Sequence, residues 1–490
     1  MPFSNEKANK LAHNRILSNP KIRESLEKYQ VTFDPSTAID NILANLISID
    51  GENHNLASIF SVDGGFDKVP VDNKFPSAEI GFIQFSLNLV KLNSQAEITK
   101  NGLVNPIEFN RITEAHTHSL DLPIFNTLIE GFDNTRDSIR YKINNYFVNS
   151  RTFSKESYNL LDTLYEILSE EDVFRNFNCV KSKCKDDYYI GTRRLLDTGE
   201  VTEEEARLKL LGKQNFNNDL RSCNCPNCGA RLYLIDYLRL HELVDEDFGA
   251  GGILSRLCRV VEQLYPLNLI MGILKNPLMQ DEYKYKSLSR IGFIIDGPLA
   301  IYGEPAKLNR SIHRYLGSIN DNLIARKLNP ITYFGLTKSG AVVDHVNLLL
   351  NHIKGNSIEG DTNEGKLPRH QLLIIDDEYR FRYIHPKLST GTFGSETYYG
   401  QDMVYFNRYS QPYVINVLYP VGRTSGRFRE QIFNHNAYPN LKRIVTLIEE
   451  LEVDIYDNAL LPIVLAHKYA SISLRPGVGS LEEFARSIIE

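Results

Sequence analysis

Two short apolar runs end in the same way, and together they constrain this chain more than any other feature: Ile59-Phe-Ser-Val-Asp63-Gly-Gly65 and Ile291-Gly-Phe-Ile-Ile-Asp296-Gly-Pro-Leu299. Each reads as a buried strand that delivers an aspartate at its C-terminal end, followed by glycine. If the two strand ends are neighbours, Asp63 and Asp296 set paired carboxylates where a hard divalent metal can be held over a phosphate, the arrangement of a phosphodiesterase centre. Asp-Gly is also a common turn dipeptide after a strand, and for either run alone the turn is the simpler reading. The case rests on the pair and its surroundings.

At 490 residues and 42% hydrophobic, the chain can bury a substantial core, as two or three domains or as one domain with a large insertion. No run reaches the roughly 18 uninterrupted apolar residues of a membrane helix, and the start, MPFSNEKANKLAHNR, lacks the apolar stretch of a secretory signal. The expected location is the cytoplasm, with no membrane partner. Lys and Arg number 55 against 61 Asp and Glu, a net charge of −6, so attraction to nucleic acid is not written into the whole surface. A nuclease reading depends on metal and on local basic patches. The best of these is Arg423-Thr-Ser-Gly-Arg427-Phe-Arg429, followed by Lys442-Arg443; it reads equally as a solvated loop and helix face.

Five of the six cysteines lie between 179 and 228. Cys225-Pro-Asn-Cys228-Gly has the C-x2-C spacing of a zinc knuckle, in which a tight turn points both thiolates at one ion. Cys179-Val-Lys-Ser-Lys-Cys184 is a looser second pair, and Cys223 is a rival ligand. In a cytosolic chain the cluster favours structural Zn2+ over a disulfide; reduced, unpaired thiols are the competing reading. Cys258 falls on the apolar face of an expected helix and reads as a small buried hydrophobe.

Along the chain, a polar helical segment at about 5–30 precedes a helix and first strand over 40–63 and a second strand over 79–92. Helices are expected near 133–148 and 155–168. A Cys-bearing, charged insertion spans 170–232, within which VTEEEARLKLL (201–211) begins like a capped helix. Strands near 291–296, 331–337, 371–376 and 412–419 alternate with helices near 304–318 and 437–450 and a final helix around His467. The likeliest flexible loop is 354–366. Strands and helices interspersed without strict alternation point to a mixed α/β core.

Other polar residues are candidates to join the two aspartates. Leu254, Leu257, Cys258, Val261, Leu264 and Tyr265 recur at helical spacing, which puts Glu262 about 40° beyond the edge of that stripe. Glu262 either looks along a core boundary into a site or faces solvent, which spacing alone favours. Leu460, Ile463 and Val464 put His467 on the apolar side of its helix, as a satisfied core histidine or, beside the aspartates, as a group that moves a proton. Lys338, after the strand 331–337, either neutralises a phosphate oxygen or snorkels to solvent. Asp376 and Asp377 end another apolar run and suit a loop-terminating role equally well.

VDGG at 62–65, the helix carrying Glu262, IIDGPLAIYGEPA at 294–306, TK at 337–338 and LPIVLAHKYASIS at 461–473 together resemble the NurA nucleases, DNA-end-processing enzymes that work with the hexameric ATPase HerA. The insertion ending CPNCGARLYLIDYLRLHE resembles the zinc-ribbon insert of the longer members. The resemblance implies an RNase H-like mixed-sheet core flanked by helices, interrupted by a small zinc-ribbon-like subdomain. That divides the chain into an N-terminal arm (1–40), a first part of the nuclease core (41–168), the insertion (169–232) and a second part of the core (233–490). It also implies Mn2+ or Mg2+ dependence, a homodimer, DNA and a HerA-type ATPase as partners, and a role in end processing or anti-phage defence. The metal-binding carboxylates map onto Asp63, Glu262 and Asp296, with Asp281 and Glu282 as rivals for the third, and the active-site histidine onto His467. VDGG stands where VDGS is more usual. The expected reaction is two-metal hydrolysis of a phosphodiester, with Lys338 near the scissile phosphate and Arg423, Arg427 and Arg429 on DNA. A non-catalytic DNA-end or helicase adaptor using the zinc ribbon and the basic stretch is the alternative, and a structural zinc protein acting on RNA a third.

Overall fold

The computed structural model describes residues 14, 16–29, 42–72, 75, 77–92, 113–152, 158–169, 175–181, 183–184, 187–190, 222–225, 227–245, 247–355, 367–385, 392–422, 425–453, 459–471 and 477–489, apart from isolated positions within these ranges. In chain order the elements are α1 (Pro20–Leu26), β1 (Ile47–Ser48), β2 (Ser58–Pro70), β3 (Glu79–Lys91), β4 (Thr113–Phe125), α2 (Thr135–Asn149), α3 (Leu160–Ser169), β5 (Arg175–Asn178), β6 (Asp187–Ile190), β7 (Ser222–Asn224) and β8 (Arg231–Tyr233). They continue with α4 (Gly252–Leu274), α5 (Asp281–Leu288), β9 (Ile291–Asp296), α6 (Leu308–Ala325), β10 (Thr332–Thr337), α7 (Ala341–Gly355), β11 (Gln371–Ile374) and α8 (Asp377–Tyr383). The last are β12 (Gly400–Phe406), β13 (Pro412–Leu418), α9 (Phe428–Ile432), α10 (Leu441–Leu451), α11 (Leu461–Ala470) and α12 (Gly477–Ile489).

Nine strands form one mixed sheet in the order β1-β11-β12-β13-β10-β9-β2-β3-β4. Its middle has an RNase H-like arrangement: β2, β3 and β4 make an antiparallel meander, β9 runs parallel to β2, and β10 runs parallel to β9. The register sets Val62 beside Ile295 and Leu336 beside Asp296. The two Asp-Gly sites are therefore neighbours, although the cysteine-bearing segment lies between them in sequence.

Helices cover both faces, so the central strands are buried on both sides, and β12 and β13 are buried along their whole lengths. On one face Phe60, Val62, Phe293 and Ile295 pack with α2, α3, α4 and α6. On the other, Ile59, Ile294, Phe334 and Leu336 pack with α10 and the start of α11. The α10 helix forms because Leu441, Ile444, Val445, Ile448 and Leu451 make one apolar stripe. By length and composition α4 is apolar enough to cross a membrane; here it is a core helix, buried nearly all round.

Strands 291–296 and 331–337 and the helices near 133–148 and 437–450 stand close to where the spacing puts them. Residues 42–44 are helical and precede β1, with residues 40–41 outside the described residues. Three expectations need correction. The first long strand does not end at Asp63: β2 runs on to Pro70, paired with β3. Strands β4 and β12 were not anticipated; β4 (TEAHTHSLDLPIF) carries His116, His118, Asp121 and Pro123, which only an edge strand tolerates well. The helix around His467 is followed by α12 and is not the last. The expected helix at 201–211 lies outside the described residues, as does 356–366 of the expected loop.

Candidate active site

Asp296 ends β9, the position at which open α/β sheets bind ligands, and Asp63 lies beside it in the middle of β2, where the parallel pairing with β9 stops while the pairing with β3 continues to Pro70. Both lie on the α10–α11 face, in phase with Ile59, Ser61 and Ile294. The α11 helix is pinned across β2 and β3 at both ends: the Ser61 hydroxyl donates to the Pro462 carbonyl at 2.8 Å, and the Gln84 amide donates to the Tyr469 carbonyl at 2.6 Å. Its last turn brings His467 Nδ1 to 2.9 Å from Asp63 Oδ2. Ser471 Oγ donates to the His467 carbonyl at 2.8 Å and lies 3.3 Å from the free ring nitrogen Nε2. The Lys338 ammonium, one residue past β10, donates to Asp296 Oδ2 at 2.9 Å.

Donor atoms of Asp63, Asp296 and His467 all lie within 4.8 Å of one another. Two carboxylates and an imidazole suit a divalent ion such as Mn2+ or Mg2+. Burial raises the Asp296 carboxyl above its ordinary range, and Lys338 opposes that rise. The hydrogen bond to Asp63 raises the His467 imidazole, which burial partly opposes. His467 is exposed rather than buried, its side chain 60% accessible. Spacing on the helix put it on the apolar side; the ring instead stands at the last turn of α11, beside Asp63.

Glu262 reaches the site from the opposite face. It is buried, against the solvent-facing reading that spacing favours, and its Oε1 accepts the Gly64 N–H at 3.0 Å. A Cβ on Gly64 would collide with Cys258 Sγ and lie 3.1 Å from Glu262 Oε1. Glycine after Asp63 thus serves the close approach of α4. Burial pushes Glu262 up to about 7; Arg259 opposes this and Asp63 adds to it. Glu262 is outside the three-residue donor cluster, its Oε2 being engaged by Arg259 Nη1 at 3.1 Å. Its rivals are elsewhere: Asp281 and Glu282 are exposed in the first turn of α5. Asp376 caps α8 by accepting the Tyr379 N–H, and Asp377 accepts the Phe393 N–H; both terminate a loop.

Arg259 was not singled out from the sequence. Besides Glu262 it donates to the carbonyls of Asp296 at 2.6 Å and Ala300 at 3.3 Å, and to that of Pro298. One guanidinium therefore ties the helix bearing Glu262 to the backbone that carries Asp296. The residue lies one helical turn before Glu262, which is the only trace it leaves in the sequence. Gly297, at φ +89°, packs against this guanidinium at a backbone angle that side chains resist.

The cysteines form a second centre. Cys179 Sγ lies 3.5 Å from Cys228 Sγ and Cys184 Sγ 3.7 Å from Cys225 Sγ, with all four within 4.8 Å of one another. A tetrahedral zinc with Zn–S bonds of about 2.3 Å has sulfur–sulfur edges of about 3.8 Å, and a disulfide is far shorter. The knuckle closes by the Gly229 N–H donating to the Cys225 carbonyl at 2.8 Å, with Gly229 at φ +70°. Burial and the neighbouring thiols push the Cys179 thiol up, a cost that a bound cation removes. Cys223 stands in β7 opposite Leu232, with its side chain outside the described residues. Cys258 is buried, as its spacing indicates.

The basic stretch lies partly within the described residues. Arg423 lies outside the described residues, Arg427 and Arg429 are exposed, and Arg429 donates to the Thr392 hydroxyl at 3.0 Å. Arg443 is taken up by Glu52 and Asn440.

No family model matches the sequence, and no curated protein matches it. Among solved structures, the chain is similar to the NurA nuclease from Sulfolobus solfataricus, with 9% identity over 98% of each chain and a TM-score of 0.32. It is also similar to another crystal structure of NurA, with 12% identity over 99% of each chain and a TM-score of 0.28. A structure of NurA with manganese shows 13% identity over 98% of this chain and 99% of that one, with a TM-score of 0.19.

Proposed function

We propose that this chain is a metal-dependent deoxyribonuclease of the NurA type that hydrolyses phosphodiester bonds at DNA ends. The observation that carries the reading is the convergence of Asp63, Asp296 and His467 where the parallel pairing of β2 with β9 ends, with Lys338 against Asp296. Asp63 and Asp296 hold a Mn2+ or Mg2+ ion, which when bound supplies Lewis-acid stabilisation of charge on the scissile phosphate. His467 bonds Asp63 through Nδ1, so Nε2 is the atom that hands a proton to the departing 3′-oxygen, and the contact with Asp63 favours the protonated ring. Lys338 pairs with Asp296 and adds positive charge beside the phosphate. Glu262 and Arg259 brace the backbone beside Asp63 and Asp296. A two-metal scheme needs Glu262 as a further ligand; with Oε2 on Arg259, the reading here stands on the three-residue cluster.

The zinc knuckle stabilises the fold. A HerA-type hexameric ATPase as partner, a homodimer, a cytoplasmic location, and a role in end processing or anti-phage defence belong to the same proposal and follow from the resemblance at Asp63, Asp296 and His467. Incubating the purified protein with linear DNA in Mn2+ or in EDTA, with and without such an ATPase, tests it. Metal-dependent shortening is expected; binding without shortening supports the adaptor reading instead.

A further inference from the structure

On β13 the apolar run Val414-Ile-Asn416-Val-Leu418 is broken by an amide. Asn416 is fully buried, and the register sets Asp402 of β12 on one side of it and Gly335 of β10 on the other. Cross-strand partners share a face, and Gly335 stands in turn beside Ile295, whose side chain packs in the core with α4. Asn416 and Asp402 therefore lie on the α4 face, opposite to the face that carries Asp296.

Their hydrogen bonds form one chain. Arg380, buried on α8, donates to Asp402 Oδ2 at 2.5 Å. The Asn416 amide donates to Asp402 Oδ1 at 2.7 Å and to the Gly400 carbonyl at 3.3 Å, and Asn416 Oδ1 accepts the Leu299 N–H at 3.1 Å. A carboxylate only accepts, so Asp402 turns the Nδ2 end of the amide toward itself and leaves the oxygen for Leu299. Gly400 keeps the space clear, since a Cβ there would strike Asn416 Oδ1. An ion pair buried in this way often stabilises a fold no more than aliphatic side chains of the same volume. The chain of bonds is better explained by what it holds.

It holds the turn that follows Asp296. Gly297, at φ +89°, takes the backbone off β9 and over the α4 face; its N–H donates to the Leu336 carbonyl at 2.7 Å, and a Cβ on Gly335 would strike its carbonyl. The Leu299 carbonyl accepts the Tyr399 N–H at 2.9 Å, and Arg259 holds the carbonyls of Asp296, Pro298 and Ala300 from α4. Arg259 and Asn416 thus grip one turn from two elements, the first at its carbonyls and the second at an N–H. Because the turn starts at Asp296, its path sets the direction in which that carboxylate leaves the sheet.

We propose that Asn416, oriented by Asp402 and Arg380, is a positioning residue for Asp296, locking the turn at 297–300 so that the carboxylate is aimed before a divalent ion arrives. The inference rests on the metal-centre reading and deepens it. Asn416 acts through the backbone of Leu299 and not on the ion. Contacts that orient a metal ligand are worth about 10- to 100-fold in metal affinity.

Mn2+ affinity is measured without DNA, by electron paramagnetic resonance of the free ion, on the full-length protein and on Asp63→Asn, Asn416→Ala and the exchange variant Asp402→Asn/Asn416→Asp. The exchange keeps an oxygen for the Leu299 N–H, a donor between positions 402 and 416 and an acceptor for Arg380. Titrations are run well below each variant's melting temperature; should Asn416→Ala not fold, Asn416→Thr, a strand former whose hydroxyl is too short to reach Leu299, replaces it. Wild type is expected to bind Mn2+ and Asp63→Asn to lose it. Asn416→Ala is expected to bind at least about tenfold more weakly, and the exchange variant to recover most of that loss. A merely structural role lowers the melting temperature and leaves the affinity of the folded protein unchanged, and that result overturns this proposal alone. An exchange variant that binds as weakly as Asn416→Ala also overturns it. No Mn2+ binding by wild type, or binding that survives Asp63→Asn, overturns the metal-centre reading and this proposal with it.

Discussion

Glu262 touches the backbone of Gly64 from the far side of the sheet: its Oε1 accepts the Gly64 N–H at 3.0 Å, one residue along from Asp63. The contact exists because Gly64 has no side chain. An added Cβ meets both Cys258 Sγ and Glu262 Oε1.

Gly64→Ala is therefore expected to destabilise the fold by about 1–3 kcal/mol, the range for overpacking a close-packed core. Urea unfolding measures this. Cys258→Ala combined with Gly64→Ala recovers part of the loss, since the thiol is the nearest obstacle.

Arg259→Met leaves Glu262 buried without its ionic partner and removes donors from three backbone carbonyls. Loss of one partner of a buried pair costs about 3–5 kcal/mol. Adding Glu262→Gln to Arg259→Met removes the stranded charge, so the double variant is expected to be more stable than Arg259→Met alone. A double-mutant cycle by chemical denaturation reads the coupling.

For the cysteine centre, one zinc per chain is expected by elemental analysis, and Cys225→Ser or Cys179→Ser is expected to lose it. Cys179, Cys184 and Cys225 belong to the main core together with α2, α3 and α4. Stripping the metal with a strong chelator should therefore lower the melting temperature of the whole fold rather than release a separate unit.

The His467–Asp63 contact sets a pH dependence with a definite sign. The imidazole's pKa is higher folded than its ordinary 6.5, so the contact adds stability below that pH, and the gain is lost as pH rises through the folded value. The stability difference between wild type and His467→Gln, followed by denaturant titration in EDTA, is expected to be larger at pH 6 than at pH 9.

Much of this centre was readable in the chain because it is built from local signals. The apolar runs before Asp63 and Asp296 are strands buried on both faces, and the C-x2-C spacing at Cys225 is a turn with a fixed geometry. What stayed hidden depends on which element lies across from which. The meander's edge strand β4 carries too many polar residues to read as a strand. His467 looks apolar along its own helix, yet its ring is exposed beside Asp63 on β2. Arg259 binds three carbonyls and a carboxylate that no sequence pattern brings near it. The side-chain direction of Glu262 was ambiguous on α4 alone and is settled by its contact with Gly64.

The most direct test of the account is Mn2+-dependent degradation of linear DNA by the Asp63→Asn and Asp296→Asn variants, with circular dichroism and thermal melting as controls on the fold. Both variants are expected to fold like the wild type and to lose metal-dependent cleavage. Cleavage retained in both, at wild-type rate and metal dependence, contradicts the assignment of the paired aspartates as the catalytic centre.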